Sequence, residues 1–471
     1  MTEPGPSRAQ TPRRWSDPLK VSSVWMPAVA LVAILIVVMT LVYFGSVVNP
    51  TGHLRGLPVA VVNQDVGAPA GGSRVDFGQE LAAGLIGSRA VSSRLAVRAS
   101  TLAAAKDQMD VGNEYTAVVI PAGFSASLLA LAGVGRSDSR PTVELLTNPR
   151  AGTLAVSLAT GVLQPALSHA STQIGRTLRS LSSTHRTSAA AGAILADPLS
   201  VPVVPYRPLP PDSALGLSAF YISLLITFCG FLGAIIVGTS IDAVLGYAST
   251  EIGPVWRQRQ PVTISRWQTL LAKWVLAVGV TLVLTGLMLF IAVVVLRMNA
   301  PHFVSLWLLS WFAATVVAIG TLVLLAALGT VGQLVAMLVF VYLALASSGG
   351  TVPLDALSGF FRFLANFEPL RQILDGVRAI LYFDARGDAG LTRAWVASGI
   401  GLSFWVALGI LVTTWYDRKE LYRMPPNLME HIDRAVLAYR QETERTSIDR
   451  PGPDSESASP VEDARTRPSS A

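Results

Sequence analysis

The sequence predicts a polytopic α-helical membrane protein. Six transmembrane helices are arranged one plus five, and an α/β extracytoplasmic domain is inserted between the first and second. Three observations carry this. Val24–Val48 (VWMPAVALVAILIVVMTLVYFGSVV) holds no charge, and at 1.5 Å per residue about 20 apolar residues cross the ~30 Å hydrocarbon core. Nothing comparable follows until Leu215, after which five more apolar runs crowd the second half. Hydrophobic residues make up 51% of the chain and charged ones only 14%, with mean hydropathy +0.50, where soluble domains carry about 25% charged residues.

The first span (24–48) follows a tail (1–23) bearing Arg13, Arg14 and Lys20. Its apolar run exceeds the ~7–15 residues of a signal-peptide core and ends in no A-x-A site. Arg13–Arg14 has the look of a twin-arginine signal, but the core behind it is too long and too apolar. The run therefore reads as an uncleaved anchor with its N-terminus inside. Further spans are expected at Leu215–Ile241, Thr269–Leu296, Val304–Leu328, Val331–Ser347 and Trp395–Trp415, with a turn at Gly329 and Gly332 dividing the third from the fourth of these. Together, 214–415 form a five-helix membrane domain. Six crossings return the C-terminus to the cytoplasm, so both termini lie inside a multi-pass cell-membrane protein. Arg257, Arg259 and Arg266, then Arg418, Lys419 and Arg423, agree with the positive-inside tendency. The outer hairpin 349–393, with five arginines, runs against it, and span parity outweighs it. The net charge of +6 suits anionic lipid headgroups. No basic stripe with interleaved aromatics points to nucleic acid.

The polar stretch 49–213 alternates strand-like and helix-like patches, an α/β pattern. Strands are expected at Pro58–Asn63, Arg94–Ser100, Tyr115–Pro121 and Thr142–Thr147, and helices at Phe77–Ser88, Thr101–Met109, Phe124–Ala132 and Ala151–Ser182. A linker at 197–211, with six prolines, is expected to be stiff and extended. Beyond the last span, the tail 416–471 is expected to carry a surface helix at Asn427–Glu444 and to be disordered past about residue 447, where large apolar residues run out.

Chemistry is scarce. No phosphate loop, H-E-x-x-H, C-x-x-C or nucleophile elbow occurs. The five histidines lie singly, without metal-ligand spacing. Cys229 is the single cysteine, a small packing residue within a span. Asp65, between a strand and Gly67, reads as a turn-former. Catalytic, cofactor and metal residues are therefore expected to be absent, and the chain is not read as an enzyme. No Asp, Glu, Lys or Arg stands mid-span, which argues against ion-driven transport. Asp242 and Lys273 stand at span ends, where side chains reach the interface. Gly230, Gly233, Gly238, Gly399, Gly401, Ser403 and Gly409 read as close helix packing.

Four segments carry a family likeness: Leu57–Ala68 (LPVAVVNQDVGA), Asn113–Ser125 (NEYTAVVIPAGFS), Gly216–Val237 (GLSAFYISLLITFCGFLGAIIV) and Phe367–Phe383 (FEPLRQILDGVRAILYF). With the one-plus-five layout, they resemble the YhgE/Pip membrane proteins and, more broadly, ABC-2 type transporter permeases. The shorter outer domain is closer to the branch shared with fungal nitrosoguanidine-resistance proteins. The resemblance implies a homodimer energised by a separate ATPase subunit, or a secretion component as partner. It implies an ATPase-docking loop within Asp242–Trp267, with Glu251, Trp256, Arg257 and Arg259 as its candidate contacts.

Pro369–Phe383 reads as an amphipathic helix at the outer interface. Leu370, Ile373, Leu374, Val377, Ile380 and Leu381 fall on one face, and Arg371, Asp375 and Arg378 on the other at i, i+4 and i+7. The permease likeness makes those three a candidate outer gate, and a plain interfacial anchor is the alternative. Two functions stay open: export of an amphiphilic or toxic small molecule or envelope component, and a non-transporting surface scaffold or receptor.

Overall fold

The structure, a computed structural model, describes residues 22–70, 73–132, 140–181, 194–262, 264–421, 423 and seven isolated positions between 430 and 441. Arg13, Arg14, Lys20, the tail past 447 and most of Asn427–Glu444 lie outside the described residues.

Among the described residues, six helices are long and apolar enough to cross a membrane: Val29–Val47, Ser218–Val244, Arg266–Val295, Phe303–Leu328, Thr330–Ser347 and Gly387–Arg418. The chain is a multi-pass membrane protein. The second span starts at Ser218 and not at Leu215, because Leu215 sits at φ 56 in a 3₁₀ turn, Ala214–Gly216. Helix α1 (Ser22–Val47) meets the rest of the protein toward its C-terminal end, where Val42 and Val47 pack on the core. Only 6% of its membrane window is buried, and Leu31, Ile34 and Leu41 are exposed. Such a surface is at home only in lipid.

Between this helix and the second span lies a five-stranded sheet. Its elements run β1 (Leu57–Asn63), the ribbon β2 (Ala68–Ala70) and β3 (Ser73–Val75), α2 (Phe77–Gly87), β4 (Leu95–Ala99), α3 (Leu102–Asp110), β5 (Thr116–Ile120), α4 (Phe124–Ala132), β6 (Glu144–Thr147), α5 (Thr153–Leu181) and β7 (Val203–Pro205). The order is β4-β1-β5-β6-β7. β1 is parallel to both β4 and β5, β6 is antiparallel to β5, and β7 is parallel to β6. Every residue of β5 is buried, which suits a β-branched run covered on both faces. Val59, Val61, Val118 and Ile120 share one core with α2, α4 and α5. Ala60, Val62, Ala117 and Val119 share the other with Ala105 and Met109 of α3. Asp76 and Thr101 cap α2 and α3 by accepting from Gln79 N (2.7 Å) and Ala104 N (3.2 Å). Asp65 accepts from Gly78 N (3.2 Å) and the Ser125 hydroxyl, tying the end of β1 to the starts of α2 and α4. The proline-rich stretch 197–211 is more than a linker, since it supplies β7. An edge strand tolerates proline because one of its sides needs no donors.

The bundle comprises α6 (Ser218–Val244), α7 (Arg266–Leu289, extended by a π turn to Val295), α8 (Phe303–Leu328), α9 (Thr330–Met337, continued to Ser347), α10 (Pro369–Tyr382) and α11 (Thr392–Arg418). α8 is central, with 61% of its membrane window buried against 17% for α7 and α11. A Cβ on Gly230 of α6 would lie 2.4 Å from Ala314 O, and one on Gly409 of α11 would lie 2.7 Å from Trp274. Both glycines therefore let helices approach closely. Gly399 faces open space, so close packing does not explain it.

The sheet sits on one end of this bundle. Leu54 and Leu57 share a core with Val352, Ala356, Leu357 and Phe361, Arg55 N donates to Asp355 O (2.9 Å), and Arg362 donates to Leu354 O and Asp355 O. At the far end, α6 and α7 are joined through a small hairpin of β8 (Thr250–Ile252) and β9 (Val255–Arg257). Asp242 and Lys273 do not reach outward as their positions suggested. They pair with each other at 2.8 Å, and Arg423 pairs with Asp242 as well. A carboxylate within reach gives the ammonium a partner that hydrocarbon cannot.

Candidate functional site

The expected gate helix is α10, and its setting differs from an interfacial one. Leu370, Leu374, Val377 and Ile380 are fully buried, and Ile373 and Leu381 nearly so. They pack with Ile222, Leu306, Leu309 and Ala394 of the bundle. The other side of the helix meets the sheet unit. Phe383 lies against Gly112, Arg150 donates to Tyr382 O (3.1 Å), and the Tyr382 hydroxyl bonds Ser218 (2.8 Å). The expected placement of this helix at the outer membrane interface is therefore corrected: it is buried between the bundle and the sheet unit. A helix with an apolar stripe and a polar stripe satisfies either a bilayer surface or a bundle facing a wet cavity, and here it is the second.

That cavity measures about 610 Å³, and the sheet unit, α10, the loop 349–355 and the start of the last span line it. Arg371, Asp375 and Arg378 all face it. Arg371 pairs with Asp375 one turn on. Arg378 turns instead to the carbonyls of Gly349 and Gly350, both at 3.3 Å. Arg371 Nε has no partner, which leaves a buried donor free in the chamber wall. Asp355, Asp388 and Arg393 join the lining, so its three arginines balance three aspartates. Burial pushes the Arg378 guanidinium down, with Arg371 adding to this and Asp375 opposing it. Burial pushes the Asp355 carboxyl up against the pull of Arg362. Tyr115, which also lines the chamber, is raised by burial and then by Asp355.

Gly390 permits this geometry. It sits at φ 114, and a Cβ there would come within 3.0 Å of Asp375, so the chain can turn into the last span directly against α10. Sequence reasoning found Arg371, Asp375 and Arg378 by their helical spacing. It missed Tyr115, Asp355, Arg393 and Gly390, which come from three other segments. The one signal available was Tyr115, a polar-tipped aromatic at the head of an otherwise apolar strand.

The candidate docking residues stand together at the far end. Glu251 and Trp256 are cross-strand partners in the hairpin, Arg257 pairs with Thr250, and Arg259 follows. All four are exposed, Trp256 at 63%. The hairpin is held by the Tyr247 hydroxyl donating to Val262 O (2.6 Å) and by Gln258 Nε2 donating to Gly246 O (2.9 Å). The structure brings these residues to the end of the bundle opposite the chamber. Among the described residues, no cluster of His, Cys, Asp and Glu could hold a metal.

Three comparisons bear on identity. A family model described as a protein of unknown function, DUF3533, matches residues 28–401. No curated protein matches the chain. Among solved structures, the chain is similar to the crystal structure of a domain of an ABC type-2 transporter candidate from Thermotoga maritima MSB8. The identity is 18% and the TM-score 0.24, over 34% of this chain and 97% of that one.

Proposed function

We propose that this chain, which belongs to the DUF3533 family, is a permease that moves an amphiphilic or toxic small molecule, or an envelope component, out of the cell. The sheet unit faces outward, both termini face the cytoplasm, and a separate ATPase docks on the hairpin Thr250–Arg257. The observation that carries the reading is the chamber at the junction of sheet and bundle. A membrane anchor has no use for arginines held inside, whereas a conduit mouth needs polar groups that a passing headgroup can engage. Burying such groups costs stability unless they are paired, and here Arg371 and Arg378 are held by Asp375 and by backbone carbonyls. The sequence likeness to ABC-2 permeases over the four quoted segments supports the same reading.

A second reading, a non-transporting scaffold or receptor, draws on a groove of about 500 Å³ between α2 and α5. Gly84 and Gly161 leave it open. Arg378→Ala and Arg371→Ala separate the two readings. Both variants are expected at near-normal levels in the membrane, with export of a panel of amphiphilic dyes reduced at least about tenfold, the scale of ~1.4 kcal/mol in transition-state or binding terms. Full export by both variants would remove the gate, and with it the main support for transport.

A further inference from the structure

At the far end of the bundle, opposite the chamber, lies a second cavity of about 840 Å³ between the last turns of α6, α8 and α11 and the first turns of α7 and α9. Its mouth is cationic. Arg266, Lys273 and Arg423 line it against Asp242 and Glu420, an excess of one positive charge. Asp417 stands close by but is spent on the N-terminus of α7, where it accepts from Arg266 N (3.1 Å) and Trp267 N (3.3 Å).

The cations keep donors in reserve. Lys273 is only 8% exposed and among the described residues bonds Asp242 alone, so two of its three N–H groups are unspent there. Arg266 uses Nε on Leu421 O (2.7 Å) and lays its guanidinium over Tyr416 (4.8 Å), which leaves both terminal nitrogens without a hydrogen-bond partner among the described residues. Ile235 of α6 and Leu325 of α8, both set back from the ends of their helices, give it apolar walls on the inner side. A polar, cationic mouth above an apolar floor, at the ends of membrane spans, matches an anionic headgroup above acyl chain.

We propose that this cavity is a binding site for an anionic phosphate group, held by Lys273 and Arg266. The apolar floor favours a phosphate carried on a glycerolipid over a free ion. The site lies at the end remote from the gate, so the proposal stands apart from the export reading.

The test uses the full chain in uncharged detergent and titrates it by calorimetry with three probes: dihexanoyl phosphatidic acid, dihexanoyl phosphatidylcholine and inorganic phosphate. Phosphatidic acid is expected to bind at least about tenfold more tightly than phosphatidylcholine. Arg266→Gln is expected to cut that affinity at least about tenfold while the unfolding temperature without lipid stays within a few degrees. Lys273→Met should do the same, and because it disturbs the Asp242 pair, Arg266→Gln is the control for folding. Inorganic phosphate binding as tightly as phosphatidic acid would uphold the phosphate site and assign it to the free ion. Equal binding of both lipids, or phosphatidic acid binding untouched by Arg266→Gln, overturns the proposal.

Discussion

Replacing Gly230 with leucine is expected to prevent the bundle from assembling, while the same change at Gly399 leaves it intact. Gly230 lies where α6 crosses α8, the most buried helix of the bundle. A Cβ there would stand 2.4 Å from Ala314 O and 2.8 Å from Val317 Cβ. One of these atoms is backbone and the other a branched carbon fixed to it, so neither can move without separating the helices. Overpacking a well-filled contact costs about 1–3 kcal/mol and occasionally more. Here the cost extends along the crossing, because α6 and α8 also bury Ile226, Ala234 and Ala318. At Gly399 nothing lies within 4 Å, and a leucine on that face meets lipid at a cost of ~0.5 kcal/mol or less. Fluorescence-detected size exclusion of solubilised protein reads the difference as loss of the monodisperse peak for Gly230→Leu alone. Equal behaviour of the two variants would contradict the packing described.

The second large effect concerns Glu368, at the head of α10. It is 4% exposed, and its Oε2 has no partner. Burial pushes its carboxyl up to about 8. One turn on, the Oε1 of buried Gln372 also lacks a partner, while its amide nitrogen reaches Ala365 O and Asn366 O at 3.4 Å. A buried carboxyl oxygen without a donor favours the protonated form of Glu368. The folded value lies above the unfolded one. The folded state is therefore favoured fully below about pH 4.5, and that advantage is lost as pH rises through about 8. A shift of this size is worth on the order of 5 kcal/mol, lost across that window. Glu368→Gln keeps the shape and removes the titration. Its unfolding temperature is expected to stay level between pH 5 and 9, while that of the parent falls. If the parent and Glu368→Gln follow parallel curves, Glu368 does not titrate in the folded protein.

Some of this was legible in the sequence for a plain reason. Lipid imposes hydrophobicity along a whole helix, so six runs such as Ser218–Val244 declare themselves without any knowledge of their neighbours. The stripe of Arg371, Asp375 and Arg378 was legible too, because helical spacing fixes which residues share a face. What that face looks at was not, since its opposite wall comes from Tyr115, Asp355 and Arg393, each distant in the chain. The Asp242–Lys273–Arg423 cluster was hidden in the same way. Each residue taken alone reads as a span end reaching for water, and only helix packing turns them toward one another. Glu368 carried no signal, because a glutamate before a proline reads as an ordinary helix start. β7 was masked by its prolines, which only an edge position allows.

Crosslinking from position 256 reads whether the proposed permease receives an ATPase at its far end. A photo-crosslinking phenylalanine analogue in place of Trp256, illuminated in living cells, reports what touches the hairpin and on which side of the membrane it lies. Capture of a cytoplasmic ATPase subunit is expected, reduced by Arg257→Ala in the same chain. Capture of cell-surface proteins from this position would invert the topology, and capture of no ATPase at all would contradict an ATP-driven permease.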